Sequence, residues 1–174
     1  MDTAQTTPTP QNKEGFGHVH PFDMPRTMAF IGSEEGFKPT VYRCTEHKRT
    51  IGKGYNLDAR GNPPWWNGVT PWTVQQADAQ LHADILAICQ VLDRRYPHWR
   101  EHTPARQAVM VSAVYQLGIA GAAKFVRTIA AIHVHDYPRA VQCMNESLWD
   151  KQTPERADRA EQIMLTGLWL EGAP

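Results

Sequence analysis

The chain has 174 residues, of which 41% are hydrophobic and 21% charged, which is ordinary for a single globular domain with a sizeable core. Its formal net charge is zero, so composition predicts no binding to nucleic acid or to an anionic membrane. No stretch approaches the roughly 20 apolar residues of a membrane-spanning helix. The N-terminus also lacks a charged segment followed by an apolar run, which predicts neither a cleaved signal nor an anchor. The three cysteines are too few for a disulfide framework and lack metal-ligand spacing, which favours reduced thiols in a cytoplasm.

Residues 1–21 are predicted to form a flexible N-terminal tail, followed by a single domain over residues 22–174. Threonine, proline and glutamine dominate the start of the tail. A segment of this composition buries too little apolar surface to offset the entropy that is lost on ordering. A wall-binding arm is the functional alternative, but so short a segment with few aromatic residues gives it little support.

The next segment changes from helical to β-type character. Pro25 lies where the first turn of a helix accepts proline, and the predicted short helix brings Glu34 and Glu35 to its end. β-Branched and aromatic residues around a polar turn at 46–48 then predict a hairpin or small sheet over residues 40–58. An acid at the end of a helix that faces a hairpin would place a carboxylate in a cleft.

A loop dense in turn residues follows over 58–68 and contains Trp65 and Trp66. One interpretation is that the two indoles cover the core of a small β lobe. The other is a sugar platform at the mouth of a cleft, because aromatic faces pack against the apolar faces of pyranose rings.

Helical patterns occupy the rest of the chain. Thr73, with Gln76 three residues later, has the pattern of a capping box and opens a long predicted helix over about 73–94. Its apolar residues recur at spacings of three and four, and Asp84 is assigned to another face. The following residues predict a buried central helix over 105–117 and then three further helices, at about 122–132, 137–147 and 154–165.

The spacing of three residues in the hairpin region carries a family resemblance. Glu35 precedes Gly36, Cys44 follows Glu35 by nine residues, and Thr50 follows Cys44 by six. This resembles the Glu-x8-(Asp or Cys)-x5-Thr signature of phage T4-type lysozymes (endolysins, glycoside hydrolase family 24). A second block near the C-terminus also resembles that family, and the collinear match covers roughly residues 26–170. Its segments are Tyr115-Gln116-Leu117-Gly118, Ala123-Lys124-Phe125, Trp149 to Arg159, and Thr166-Gly167-Leu168-Trp169.

The resemblance implies an α+β fold of the T4 lysozyme type. Its small β lobe would span about 35–72, its connecting helix about 73–94, and its helical lobe about 95–174 together with 25–34. The implied activity is that of a lysozyme, a bacteriolytic and antimicrobial peptidoglycan hydrolase. It would cleave the β-1,4 bond between N-acetylmuramic acid and N-acetylglucosamine, with no metal or cofactor.

The implied biology is that of an endolysin. The expected partner is the glycan strand of peptidoglycan, bound by a monomer with no nucleic acid and no stable membrane insertion. Such enzymes wait in the host cytoplasm until a holin opens the membrane, and then act on the periplasmic cell wall and cause cytolysis.

Glycosidic hydrolysis needs an acid that protonates the leaving oxygen and a group that activates water or attacks carbon. Glu35 and Glu34 are competing candidates for the acid, because neighbours on a helix point about 100° apart and only one can face a cleft. The resemblance selects Glu35. Thr50 supplies a hydroxyl that can both donate and accept, which suits it to position a water molecule.

Cys44 stands where many members of the family have an aspartate. A thiol is a weaker hydrogen-bonding group and is mostly neutral at pH 7, so Cys44 can be a base, a nucleophile or a packing residue. This leaves a lytic transglycosylase, which gives 1,6-anhydro products, as the main alternative. A catalytically silent wall-binding phage protein is the more distant one.

Three further residues are assigned to substrate binding, namely Tyr42, Gln116 and Arg156. Gln116 matches a glutamine that lines the cleft in the family, and Arg156 matches an arginine that lies near the catalytic glutamate. An arginine beside Glu35 would favour the ionised carboxylate and oppose the effect of burial.

Overall fold

A computed structural model describes residues 17–44 and 47–170, which form an α+β fold of a small antiparallel sheet and a larger set of helices. The predicted lysozyme-like fold class is confirmed. In chain order the elements are α1 (Met24–Glu35), β1 (Lys38–Arg43), β2 (Arg49–Gly52), β3 (Tyr55–Asn56), α2 (Leu57–Arg60), α3 (Val74–Arg95), a 3-10 helix (Pro97–Glu101), α4 (Pro104–Ala122), α5 (Val126–His133), α6 (Tyr137–Asn145), α7 (Leu148–Gln152) and α8 (Pro154–Thr166).

Helix α1 ends at Glu35, the predicted catalytic acid. The Asp23 side chain caps its first turn by accepting a hydrogen bond from the backbone N–H of Arg26 at 3.0 Å. Gly36, with φ of 65°, ends the helix directly after Glu35 because this conformation favours glycine. Helix α1 buries Phe30 in the core of the helical lobe.

The sheet has the order β1-β2-β3 and is antiparallel throughout. Thr50 lies in the central strand, opposite Tyr42 on one side and Asn56 on the other. The register of β1 against β2 shifts between Lys38 and Tyr42. A small core packs against this sheet and consists of Ile51, Tyr55, Leu57, Trp66, Trp72 and Ala77.

Helix α3 joins the two lobes and contributes to both cores. The predicted capping box is present, since Thr73 and Gln76 each accept a hydrogen bond from the other's backbone N–H. Ala77 belongs to the small core, whereas Leu81 and the apolar residues after it belong to the large one. The assignment of Asp84 to an outer face is wrong, because this residue is only 3% exposed.

The helical lobe surrounds a core centred on α4. Helix α4 is longer than predicted and is kinked at Gly118, where φ is 69°. The 3-10 helix, α2 and α7 are short elements that the sequence patterns did not indicate. The core includes Trp99, Val111, Trp149, Ile163 and Met164.

Residues 17–21, which the sequence patterns assign to the tail, make hydrogen bonds with the helical lobe. The backbone N–H of His20 donates to the carbonyl of Arg100 at 2.8 Å, and the Gln107 amide donates to the carbonyl of His20 at 3.2 Å. The remainder of the predicted tail, residues 1–16, lies outside the described residues. Within the described ranges, no helix is both long enough and apolar enough to cross a membrane.

Candidate active site

A cleft of about 780 Å³ lies between the sheet and helices α3 and α4. It brings together all six residues that the sequence assigns to catalysis and substrate binding. Residues from both lobes line it, so its shape depends on the connection through α3. The predicted site residues among them are Glu35, Tyr42, Cys44, Thr50, Gln116 and Arg156.

Glu35 is the last residue of α1, and its carboxylate is held on two sides. Its side chain is 19% exposed, and Oε1 accepts a hydrogen bond from Nη1 of Arg156 at 2.7 Å. Arg156 is itself nearly buried and donates a second hydrogen bond, to Oγ of Ser112, at 3.2 Å. On the other side the Glu35 carboxylate lies against Gly54, where a Cβ would come within 2.5 Å of Oε2. The carboxylate is therefore partly shielded from water and fixed in orientation.

Glu34, the competing acid, has a different environment. Both of its carboxylate oxygens accept hydrogen bonds from Arg159, at 2.7 and 2.8 Å. Glu34 does not line the cleft. Both acids pair with an arginine of α8, but only Glu35 lines the cleft.

Thr50 and Cys44 lie on the sheet side of the cleft and share one acceptor. The Thr50 hydroxyl donates to the backbone carbonyl of Lys48 at 3.1 Å, and the backbone N–H of Cys44 donates to the same oxygen at 3.0 Å. The hydroxyl proton of Thr50 is donated to this carbonyl, so the Thr50 oxygen can form a further hydrogen bond as an acceptor, for example from water. Cys44 is half-buried and forms no disulfide.

Tyr42 and Gln116 add hydrogen-bonding groups to the wall of the cleft. Burial raises the pKa of the Tyr42 phenol, and the charges of Glu35 and Cys44 raise it further, so the phenol stays protonated. The amide oxygen of Gln116 accepts a hydrogen bond from Nε1 of Trp149 at 2.7 Å. This contact orients the amide and leaves its NH₂ group as the donor for a ligand.

Residues 32–165 match the sequence model of the phage lysozyme family. The chain belongs to the phage lysozyme family. It is also similar to the pre-baseplate central spike protein Gp5 of Enterobacteria phage T4, with 28% identity over 156 residues. This alignment covers 77% of the chain, which spans about a quarter (26%) of the length of that relative. Membership of the family supports a lysozyme-like function.

The sequence analysis missed an ion pair between the buried Asp84 and the more exposed Arg60, both of which line this cleft. Asp84, on α3, accepts two hydrogen bonds from the guanidinium of Arg60 and a third, at 2.8 Å, from Gln80. Arg60 also stacks over the ring of Tyr55, 4.3 Å from its centroid. A signal was available, because Asp84 lies seven residues after Ala77 and falls in the apolar stripe of the helix.

The two tryptophans of the loop do not line this cleft. Trp66 is buried in the small core, and its indole N–H donates to the carbonyl of Thr70 at 2.6 Å. Trp65 remains 47% exposed, packs against Trp72 and donates to Gln80 at 3.3 Å. Trp66 therefore packs in the core of the small lobe, which is the first of the two interpretations of this tryptophan pair. Neither indole lines the cleft as a sugar platform would.

Proposed function

We propose that this member of the phage lysozyme family is a muramidase, which cleaves the β-1,4 bond between N-acetylmuramic acid and N-acetylglucosamine. The observation that carries this proposal is the position of Glu35, which lines the same cleft as Thr50 and Cys44. The acid lies at the end of α1, whereas the candidate water-binding groups lie on or beside the sheet. A glycan strand bound in the cleft would contact both.

In the proposed reaction Glu35 donates its proton to the leaving glycosidic oxygen. A water molecule attacks the anomeric carbon as the glycosidic bond breaks, and the proton that this water loses re-forms the Glu35 acid by way of solvent. Thr50 accepts a hydrogen bond from the attacking water, and Cys44 packs beside it. Tyr42 and the NH₂ group of Gln116 bind sugar substituents, while Arg156 holds the Glu35 carboxylate in place.

The test is mass spectrometry of the soluble muropeptides that are released from purified sacculi. Wild type is expected to release products with reducing ends, and Glu35→Gln is expected to release almost none. Glu34→Gln is the matched control, since it removes the adjacent charge but leaves the cleft intact, and it should retain activity. Equal release by wild type and Glu35→Gln would refute the assignment of Glu35.

A lytic transglycosylase is the second candidate, because among residues 17–44 and 47–170 the carboxylates that line the cleft are Glu35 and Asp84. Asp84 is ion-paired with Arg60 and is therefore a poor base. With a thiol at position 44, the 6-hydroxyl of the muramic acid residue could attack in place of water and leave a 1,6-anhydro end. Anhydro ends in the same mass spectra would establish this reaction.

A catalytically silent wall-binding protein is the third candidate, since a lysozyme fold does not by itself guarantee catalysis. Loss of turbidity in permeabilised Gram-negative cells separates the cases. A muramidase or a transglycosylase lyses them, whereas a silent binder does not, whatever its affinity.

The proposed biological role is that of a monomeric endolysin, which stays in the host cytoplasm until release and then degrades the wall. The name of the similar protein, a central spike protein, supports a different role as part of a phage particle. Proteomics of purified particles distinguishes the two roles. An endolysin would be absent from them and would accumulate in infected cells before lysis.

A further inference from the structure

Three carboxylates meet at the corner between α7 and α8, outside the cleft. They belong to Asp150 on α7 and to Asp158 and Glu161 on α8. One oxygen from each lies within 4.8 Å of the others. Asp158 is exposed, Asp150 is half-buried and Glu161 is buried, so the cluster extends from the surface inwards.

Within residues 17–44 and 47–170, no lysine, arginine or histidine forms an ion pair with any of the three, although Arg159 lies near enough to Asp158 to interact with its charge. Glu161 is 6% exposed, and its Oε1 is buried with no hydrogen-bond partner in the same ranges. A buried carboxylate oxygen without a partner is costly. Burial, together with the charges of Asp150 and Asp158, raises the pKa of Glu161 to about 7.

We propose that this corner binds a hard divalent cation of the calcium class through Asp150, Asp158 and Glu161. Hard cations prefer oxygen ligands, and all three donors are carboxylates. Two oxygens that each bind one ion at about 2.4 Å can be at most about 4.8 Å apart. The observed separations therefore allow all three carboxylates to bind the same ion. The buried, unpartnered oxygen of Glu161 gains its missing partner when the ion binds. Water molecules complete the coordination on the exposed side, next to Asp158.

The cation would connect two helices that support the cleft without contacting the substrate. Helix α7 carries Trp149, which orients Gln116, and α8 carries Arg156, which holds Glu35. The cation therefore acts as a structural ligand of this corner. The inference does not depend on the proposed lysozyme activity, because binding is measured without a substrate.

Terbium, a luminescent substitute for calcium, tests the site directly. Trp149 precedes Asp150 in the chain, so it should sensitise a bound Tb³⁺ ion, and added Ca²⁺ should compete. We expect a dissociation constant for Ca²⁺ of roughly 0.1–1 mM, the range of extracellular calcium modules. We also expect Ca²⁺ to raise the melting temperature above its value in EDTA, because a ligand of the folded state stabilises that state.

Variants separate this site from general electrostatic attraction. The double variant Asp150→Asn/Asp158→Asn should lose at least about tenfold in affinity for both ions, and Glu161→Gln should also bind more weakly. Glu155→Gln removes an exposed charge from the same helix and should bind as wild type does. Absence of sensitised luminescence and of a calcium-dependent melting temperature in wild type would overturn the proposal. A response that persists unchanged in the double variant would overturn it as well.

Discussion

The Glu35 carboxylate depends on a residue that has no side chain. Gly54 has φ of 77°, in the region that favours glycine, and its Cα faces the carboxylate. A Cβ there would lie 2.5 Å from Oε2 and 3.0 Å from the carboxyl carbon of Glu35. Glycine is therefore needed at this position for two reasons: the turn after β2 requires a positive φ, and the carboxylate of the proposed acid occupies the place of a Cβ.

We expect Gly54→Ala to reduce muramidase activity by roughly 100-fold, because a displacement of the acid by about 1 Å is enough for a loss of that size. The positive φ adds a backbone cost of about 1–2 kcal/mol to the free energy of folding. Activity is measured as the initial rate of lysis of permeabilised cells, and stability by urea unfolding.

Gly61→Ala is the matched control for this substitution. Gly61 has φ of 71° but nothing within 4 Å of the position of a Cβ, so it carries the backbone cost without the clash. It should lose a similar amount of stability and keep its activity. If both variants lost activity equally, backbone strain rather than displacement of the Glu35 carboxylate would explain the effect.

Thr50 provides a second test at single-residue scale. In Thr50→Val the carbonyl of Lys48 still accepts the backbone N–H of Cys44, so the cost to stability should stay near 1 kcal/mol. Loss of the hydroxyl that positions water should lower kcat by about 100-fold and change KM little. Thr50→Ser keeps the hydroxyl and should restore most of kcat. Equal kcat values for the valine and serine variants would exclude the proposed role.

Two ion pairs connect helices α1 and α8. Glu35 pairs with Arg156, and Glu34 pairs with Arg159. The arginines differ in exposure, since the side chain of Arg156 is 10% exposed and that of Arg159 is 42% exposed, whereas the glutamates rank the other way, with Glu35 at 19% and Glu34 at 5%. Water reaches the guanidinium of the second pair more freely and screens its charge, so we expect the first pair to couple the helices more tightly.

Double-mutant cycles on the free energy of unfolding measure this difference. For Glu35→Gln with Arg156→Met we expect a coupling energy of about 2 kcal/mol, because neither partner is freely hydrated when the other is removed. For Glu34→Gln with Arg159→Met we expect about 1 kcal/mol, because water hydrates and screens the exposed guanidinium of Arg159 although Glu34 is buried. Urea unfolding of the four single variants and two double variants supplies the values. A larger coupling for the second pair would mean that the burial of the glutamate, rather than that of the arginine, sets the coupling.

At the scale of the whole molecule, the order of the longer elements could be predicted because each of them has a local signal. The capping box at Thr73, the apolar stripe that follows it and the glycines around the hairpin indicate their elements without information about distant residues. The spacing of Glu35, Cys44 and Thr50 indicated the family, and the structure places these three residues in one cleft. Their catalytic roles stay predictions.

The features that could not be predicted depend on contacts between distant parts of the chain. The burial of Asp84 requires Arg60 from a distant part of the chain, and the different environments of Glu34 and Glu35 are visible only when their ion pairs with α8 are formed. The short helix α7 is positioned by the hydrogen bond from Trp149 to Gln116, 33 residues earlier in the chain. Hydrophobic periodicity does not encode such pairings.

The helical lobe also contains a histidine that should limit stability in acid. His102 is 1% exposed, and its Nδ1 lies 3.1 Å from the Tyr137 hydroxyl. Burial, together with the charges of the neighbouring His135 and Arg106, lowers the pKa of His102 from an ordinary 6.5 to about 4, and the charge of Glu101 opposes this shift only in part. The folded protein therefore keeps this imidazole neutral over a range of pH in which the unfolded chain binds a proton.

The sign of the effect follows from proton linkage. Above about pH 6.5 His102 is neutral in both the folded and the unfolded state, so it does not change stability with pH. Between about pH 6.5 and 4 the unfolded state binds more protons at this residue, so the free energy of unfolding falls as the pH falls. The full loss is on the order of 3 kcal/mol.

His102→Gln keeps a polar side chain at the position but cannot titrate, so wild type should lose more stability than this variant over that range. Urea unfolding at several pH values between 4 and 7 gives the comparison, and His82→Gln, at an exposed position on α3, controls for the loss of an imidazole. If the stability of wild type and of His102→Gln fell in parallel with pH, the folded protein would bind a proton at His102 as readily as the unfolded chain does. Other groups would then determine the loss of stability in acid.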